Sequence, residues 1–354
     1  MRQEKFARRY NLSTPLVIVI AVLVFGFLIF IHEFGHFIFA RIFKVKINEF
    51  SIGMGPSLLW YDSKKSGIRY KLAMFPIGGY VAMAGEDDES DDPNSFDKKP
   101  AWQRFIITFA GAAVNIIFGF LVMIIVTSLM NIGTTRVAAF QEECISNEAL
   151  MIGDEILEIE GKRVRIADEL AYEIMRRGNE PVDILVLRNG EEVLLPDVNF
   201  PKGETSGQIF GQIDFKVSAV ADKGFGEVMS YSFNKSCLMV RMCWESIIDL
   251  ITGRYTLAAV SGPVGISSAI GDAAASGIVP LLNIVVIISI NLGFMNLLPI
   301  PALDGGRLLT VLVEMITRKR LPKKVEGIIN GVGLILLLIL SFVIMIKDVI
   351  GLII

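Results

Sequence analysis

The sequence predicts a polytopic α-helical membrane protein, four transmembrane helices interrupted by a separate α+β insert. Three observations lead there. Hydrophobic residues make up 53% of the 354-residue chain, and the mean hydropathy is +0.56. Four apolar runs, roughly 15–40, 105–130, 279–298 and 327–351, each reach the ~20 residues a bilayer crossing needs. Between the second and third runs lies a stretch of about a hundred residues with ordinary soluble composition.

The first run follows Arg2, Lys5, Arg8 and Arg9, as in a secretory signal. Its apolar stretch is too long for one, and no small-x-small cleavage site follows, so a retained helix is expected. In the loop after it, segments 49–60, 68–74 and 80–83 read as short strands. Gly53, Gly55, Gly67, Gly78 and Gly79 are their turn points. Apolar strands beside a membrane can dip into it when protein covers their backbone. The acidic run 86–92 reads as a solvated linker.

After the second run, 136–200 alternates β-type segments with turn signals. Residues 155–160 and 183–187 are strand-like, Gly161-Lys162 and Asn189-Gly190 turn, and 168–177 is helical in pattern. From Phe225 to Ser276 the chain is amphipathic and Gly-broken, with Trp244 suited to an interface; helices lying on a surface are expected. The domain expectation is therefore a first membrane half at 1–130, the insert at 131–235, and a connector with the second membrane half at 236–354. No internal repeat is visible.

Orientation follows from basic residues in short loops. Arg41, Lys44, Lys46, Lys64, Lys65, Arg69 and Lys71 lie in the first, and Arg318, Lys319, Arg320, Lys323 and Lys324 in the third. Both loops should be cytoplasmic and the insert on the other side. The basic N-terminal tail pulls the opposite way.

Composition also excludes some functions. A net charge of −3 offers no footprint for nucleic acid. Cys144, Cys237 and Cys243 are odd in number and lack Cys-x-x-Cys spacing, which argues against a disulfide framework or a thiolate zinc site.

The chain has two histidines, His32 and His36, both within the first apolar run. Four residues apart on a helix, they share a face and can reach one metal ion. Glu33 adjoins the first, placed to take a proton from a metal-held water. Ionisable groups inside an apolar helix are costly and usually functional. Catalytic zinc takes three protein ligands, so the third here must be a carboxylate or a cysteine. Asp304 is the best candidate. It follows the third run in Asn296-Leu-Leu-Pro-Ile-Pro-Ala-Leu-Asp304-Gly-Gly306, where Pro299 and Pro301 break the helix and Gly305-Gly306 permits a tight turn. The alternative is a helix-ending turn with an exposed aspartate. Asn115, among small neighbours, reads as a packing or helix-contact residue.

Four segments together resemble the site-2 protease family of intramembrane zinc metalloproteases, in its bacterial regulator-of-sigma-E protease branch. They are His32-Glu-Phe-Gly-His-Phe-Ile-Phe-Ala-Arg41, Phe75-Pro-Ile-Gly-Gly-Tyr-Val81, Ser261-Gly-Pro-Val-Gly-Ile266 and Ser289-Ile-Asn-Leu-Gly-Phe-Met-Asn-Leu-Leu-Pro-Ile-Pro-Ala-Leu-Asp-Gly-Gly306. The resemblance implies a Zn2+ cofactor held by His32, His36 and Asp304, with Glu33 as general base. It implies that Asn291 and Asn296 hold an unwound substrate and that the first loop is a cytoplasmic, membrane-associated β-loop pairing with it. The insert resembles a single PDZ-like domain on Ala149-Leu-Met-Ile-Gly-Asp-Glu-Ile-Leu157 and Glu160-Gly-Lys162. The implied partners are the lipid bilayer and single-span membrane proteins, such as anti-sigma factors or remnant signal peptides, cut within their transmembrane segments. The implied location is a bacterial cell (inner) membrane, with the active site toward the cytoplasm. Two other classes stay open. A catalytically silent PDZ-bearing scaffold would not need the Glu33 carboxylate, and a transporter would show repeated halves.

Overall fold

In lipid a spanning chain must satisfy every backbone group from within, which leaves an apolar run of this length one solution, the helix. The computed structural model describes residues 13–86, 90–205, 208–220, 223–254 and 260–353. The basic tail at residues 2–9, positions 87–89 of the acidic run and 255–259 of the connector lie outside the described residues. Helix α1 (Thr14–Ile42) opens with a proline in its first turn, where no N–H is needed. The described residues fall into two units, one within 1–122 and 260–354, the other within 123–259.

In the first unit, α1 leads into two long antiparallel strands, β1 (Ile47–Asp62) and β2 (Arg69–Met83). This corrects the expectation of three short strands. Gly53, Gly55 and Gly78 take φ of 87°, 92° and 91°, but inside the strands, as bulges rather than turns; Gly67, at φ 71°, lies between them. A left-handed glycine bends an extended chain without ending its pairing. The ribbon therefore folds back on itself. Glu49, Phe50, Ser51 and Ile52 each pair twice, once within 79–82 and once within 69–72. Val45, Ile47, Phe50, Val81 and Met83 pack with Ala40 of α1 and with Ile107 of α2 (Ala101–Leu129). Leu58, Leu59, Trp60 and Tyr61 are each more than half exposed.

The second unit is built on a sheet of antiparallel pairs. Its strands are β3 (Gly133–Phe140), β4 (Glu155–Ile159), β5 (Lys162–Arg163), β6 (Val182–Arg188), β7 (Glu191–Val198) and β10 (Phe215–Ala219), with helix α3 (Ala167–Arg177) between β5 and β6. The order is β10-β3-β4-β6-β7 with β5 beside β4, while β8 (Lys202–Thr205) and β9 (Gln208–Gly211) form a separate hairpin. Asn189 and Gly190, both at positive φ, close the β6–β7 hairpin, the geometry that dipeptide favours. Val137, Ile156, Ile159, Leu170, Ile174, Ile184 and Val186 make the core. Helix α4 (Phe225–Ile251) follows. It runs unbroken for 27 residues; Gly253, at φ 76°, lies beyond its end and Gly262 immediately precedes the next helix, so glycines break the 225–276 stretch between two helices. Ion pairs tie it to α3, Arg176 to Asp249 at 2.5 Å and Arg241 to Glu173 at 2.5 Å.

The chain returns to the first unit with α5 (Pro263–Ser276), α6 (Ile278–Leu297), α7 (Asp304–Thr317) and α8 (Lys323–Ile353). Helix α5 has no cap of its own; Asp348 of α8 accepts the Gly262 and Gly265 N–H groups at 2.8 and 3.0 Å. Among the described residues, α1, α2, α6 and α8 are long and apolar enough to cross a membrane.

Candidate metal centre

The helical repeat puts His32 and His36 on one face of α1, and α2 lies against that face. The close approach depends on missing side chains. A Cβ on Gly35 would come 2.6 Å from the Ala110 carbonyl oxygen, and one on Gly111 would collide with the His36 ring. His36 donates its Nδ1–H to the Ile107 carbonyl at 2.8 Å, which fixes the tautomer and leaves Nε2 with a free lone pair. The two Nε2 atoms lie 3.3 Å apart.

The third arm comes from the far end of the chain. After α6, Pro299 and Pro301 prevent further helix, and Ala302 turns at φ 71°. Asp304 is then the first residue of α7. Gly305 and Gly306 are not a turn, as the sequence suggested, but part of α7's first turn. A Cβ on Gly305 would overlap the Leu298 carbonyl, and one on Gly306 would sit 2.6 Å from the Ile300 oxygen, so their bareness lets α7 fold onto its own lead-in. Asp304 Oδ2 reaches His32 Nε2 at 3.0 Å and His36 Nε2 at 3.3 Å. Asp304 thus lies beside both imidazoles.

The donor set fits zinc. All three ligand atoms lie within 4.8 Å of one another, and Asp304 Oδ2 is buried without a hydrogen-bond partner. Imidazole nitrogens with Nδ1–H and a carboxylate are all acceptors at this point, so they repel unless a cation joins them. Two histidines and one carboxylate leave a fourth position open, the composition of a catalytic rather than a structural site.

Asn115 makes a helix contact, as the sequence suggests, and the contact is with the His32 ring. It is fully buried, its Nδ2 lies 3.4 Å from His32 Nδ1, and its Oδ1 has no hydrogen-bond partner. An amide turned with its oxygen toward Nδ1–H satisfies both groups and orients the ring. No signal in one sequence picks Asn115 out, because the contact spans 83 residues.

Glu33 lines a cavity of about 900 Å3 together with His36, Asp304, Tyr80, Val81, Arg307 and Asn330. Strand β2 forms one wall, so close that a Cβ on Gly79 would stand 3.5 Å from Glu33 Cγ. Arg307 pairs with Glu86 at this cavity, and buried Arg104 pairs with Glu314, both holding α7. Neither Asn291 nor Asn296 lines it. Asn291 is exposed on α6, and Asn296 donates to the Leu292 carbonyl one turn back, at 3.0 Å.

Fold and site together define a membrane protein with the ligand set of a zinc hydrolase. Residues 20–340 match Peptidase family M50. Relatives from Fusobacterium nucleatum and Clostridium acetobutylicum, both provisionally named zinc metalloproteases, are each 34% identical over 94% of this chain; the matches cover 98% and 97% of those proteins. The zinc metalloprotease RasP of Geobacillus kaustophilus is 28% identical over 94% of this chain and 97% of its own length. The chain belongs to Peptidase family M50, the site-2 protease family, and is a zinc metalloprotease.

Proposed function

We propose that this enzyme hydrolyses peptide bonds within the transmembrane segments of single-span membrane proteins, with zinc held by His32, His36 and Asp304. One observation carries the reading: two of the three ligands sit within an apolar, membrane-length helix. Soluble peptide is a poor match for such a position, and a membrane segment is a natural one.

Bound zinc supplies Lewis acidity toward water and toward the scissile carbonyl. Glu33, half-buried at the cavity wall, takes the proton of the attacking water and passes one to the leaving amine. A helical substrate hides its carbonyls in its own hydrogen bonds and must unwind first. Residues 79–82 of β2 pair with β1 on one side only among the described residues, so their other edge can take an extended segment as an added strand. The exposed Leu58–Tyr61 stretch suits a membrane-associated ribbon. Asn291, exposed on α6, offers its amide to the entering segment; Asn296 does so by releasing Leu292.

The second unit, an antiparallel sheet with one helix packed on it, is in this reading a single PDZ-like domain outside the cytoplasm that screens substrates. Anti-sigma factors and remnant signal peptides are the substrates proposed, in a bacterial inner membrane with the site toward the cytoplasm.

The test is cleavage of a single-span test substrate by purified, zinc-loaded protein. Glu33→Gln should lower the rate by about 100-fold or more. Equal processing by both proteins rejects the mechanism, whereas cleavage by neither returns the silent scaffold. In parallel, Asp304→Ala should lose bound zinc, and full occupancy would remove Asp304 from the ligand set.

A further inference from the structure

The third zinc ligand follows a turn whose Ala302 N–H finds its acceptor on neither flanking helix. Residues 298–303 link α6 to α7, and Ala302 stands in the left-handed region at φ 71°, which a side chain with a Cβ disfavours. Asp304 follows two residues later. An outside contact must keep the turn from relaxing, and α8 provides two. Asn330 Oδ1 accepts the Ala302 N–H at 3.3 Å. Gly333, one turn on, lets Pro301 lie directly on the helix backbone. A Cβ there would stand 2.8 Å from the Pro301 carbonyl oxygen and overlap its ring.

Both residues are otherwise out of place. A polar amide and a bare glycine are not needed by a spanning helix whose neighbours Val332, Ile335 and Leu336 are more than half exposed apolar side chains. Asn330 and Gly331 also line the cavity with Glu33, His36 and Asp304. We infer that Asn330 and Gly333 form a clasp through which the fourth membrane helix sets the position of Asp304, so that Asn330 is a positioning residue of the zinc centre. Without the Asn330 acceptor, the Ala302 N–H loses its partner, the turn relaxes toward negative φ, and the carboxylate swings away from the histidines. The inference rests on the ligand set proposed above, not on the substrate.

The experiment measures zinc affinity of the full-length protein in nanodiscs by competition with a chromophoric chelator. The visible spectrum of the cobalt-substituted protein is recorded alongside. Asn330→Leu and Gly333→Ala should each weaken zinc by about 10- to 100-fold, the usual scale for a contact that orients a ligand, and alter the cobalt bands. Asn330→Asp keeps an acceptor for Ala302 and should hold wild-type affinity. Should Asn330→Leu fail to fold, Asn330→Ser, too short to reach Ala302, takes its place. Wild-type zinc affinity in both the shortened and the Gly333→Ala variants, with only the melting temperature lowered, overturns the clasp. The controls are His36→Ala and Asp304→Ala. If these keep their zinc, the ligand assignment fails; if they lose it while the α8 variants do not, only the clasp fails.

Discussion

At the scale of single residues, the metal centre depends on atoms that are missing as much as on those present. Gly111 lies in the middle of α2, where helix propensity favours alanine by about 1 kcal/mol. Space says the reverse. An added Cβ would stand 2.9 Å from His32 Cε1 and closer still to His36 Nε2, the atom that must face the metal. The rings can yield only by turning, which costs His36 its bond to the Ile107 carbonyl. Gly111→Ala should therefore keep its helix content by circular dichroism yet bind zinc at least about 10-fold more weakly, as ligand misorientation does elsewhere. Wild-type affinity in that variant would show that the rings have slack the packing does not reveal.

At the scale of elements, the second unit turns on the link between the 149–154 loop and β6. Asp154 is 1% exposed, and both its oxygens take Arg188 N–H groups at 2.8 Å. A third bond comes from the Met151 N–H at 2.8 Å. Burial pushes the Asp154 carboxyl up, but the Arg188 bonds, the Met151 N–H and the guanidinium charge outweigh it and hold the group below its ordinary value of 3.8. A carboxylate depressed by folding contributes stability that is present above its unfolded value and lost as pH falls below it. The loop and strand should thus loosen in acid below about pH 4. Arg188→Met leaves a buried charge unpaired and should cost about 3 kcal/mol at neutral pH. Faster hydrogen exchange of the β4 and β6 amides in the full-length protein reads it out, and unchanged exchange would show the pair to be ornamental. Such elements are legible in the sequence: periodicity and Asn-Gly mark the helix and the hairpin to within a residue or two. His32, Glu33 and His36 stood out because the chain has two histidines, and Asp304 because two prolines and two glycines mark an unusual helix end. The β1–β2 ribbon was misread because glycine permits a bulge and a turn alike, and only pairing tells them apart. Asn115, Gly111 and Asn330 were invisible for a related reason. Their partners lie on other helices, and residue type alone says nothing of who arrives there.

At the scale of the whole molecule, loop charge bears on which side of the membrane the zinc centre faces. His36 is six residues from the end of α1 at Ile42, or about 9 Å along the axis, so the centre sits toward the side where the β1–β2 ribbon emerges. That ribbon carries Lys64 and Lys65, both exposed at its tip, and the α7–α8 link carries Arg318, Lys319 and Arg320. Basic residues in short loops favour the cytoplasm, whereas the charge of long segments counts for little. The basic tail at residues 2–9 carries fewer charges than the two loops, so the loops are expected on the cytoplasmic side. The expected outcome is opposite labelling of two thiols. In intact cells a membrane-impermeant maleimide should modify native Cys237, exposed on α4. Lys64→Cys, in a chain whose native cysteines are serine, should react only after the cells are opened. Labelling of the Lys64→Cys protein in intact cells would invert the topology. It would then be the N-terminal tail, rather than the loops, that set the orientation, and the cavity beside Glu33 would receive water and release product on the outer side.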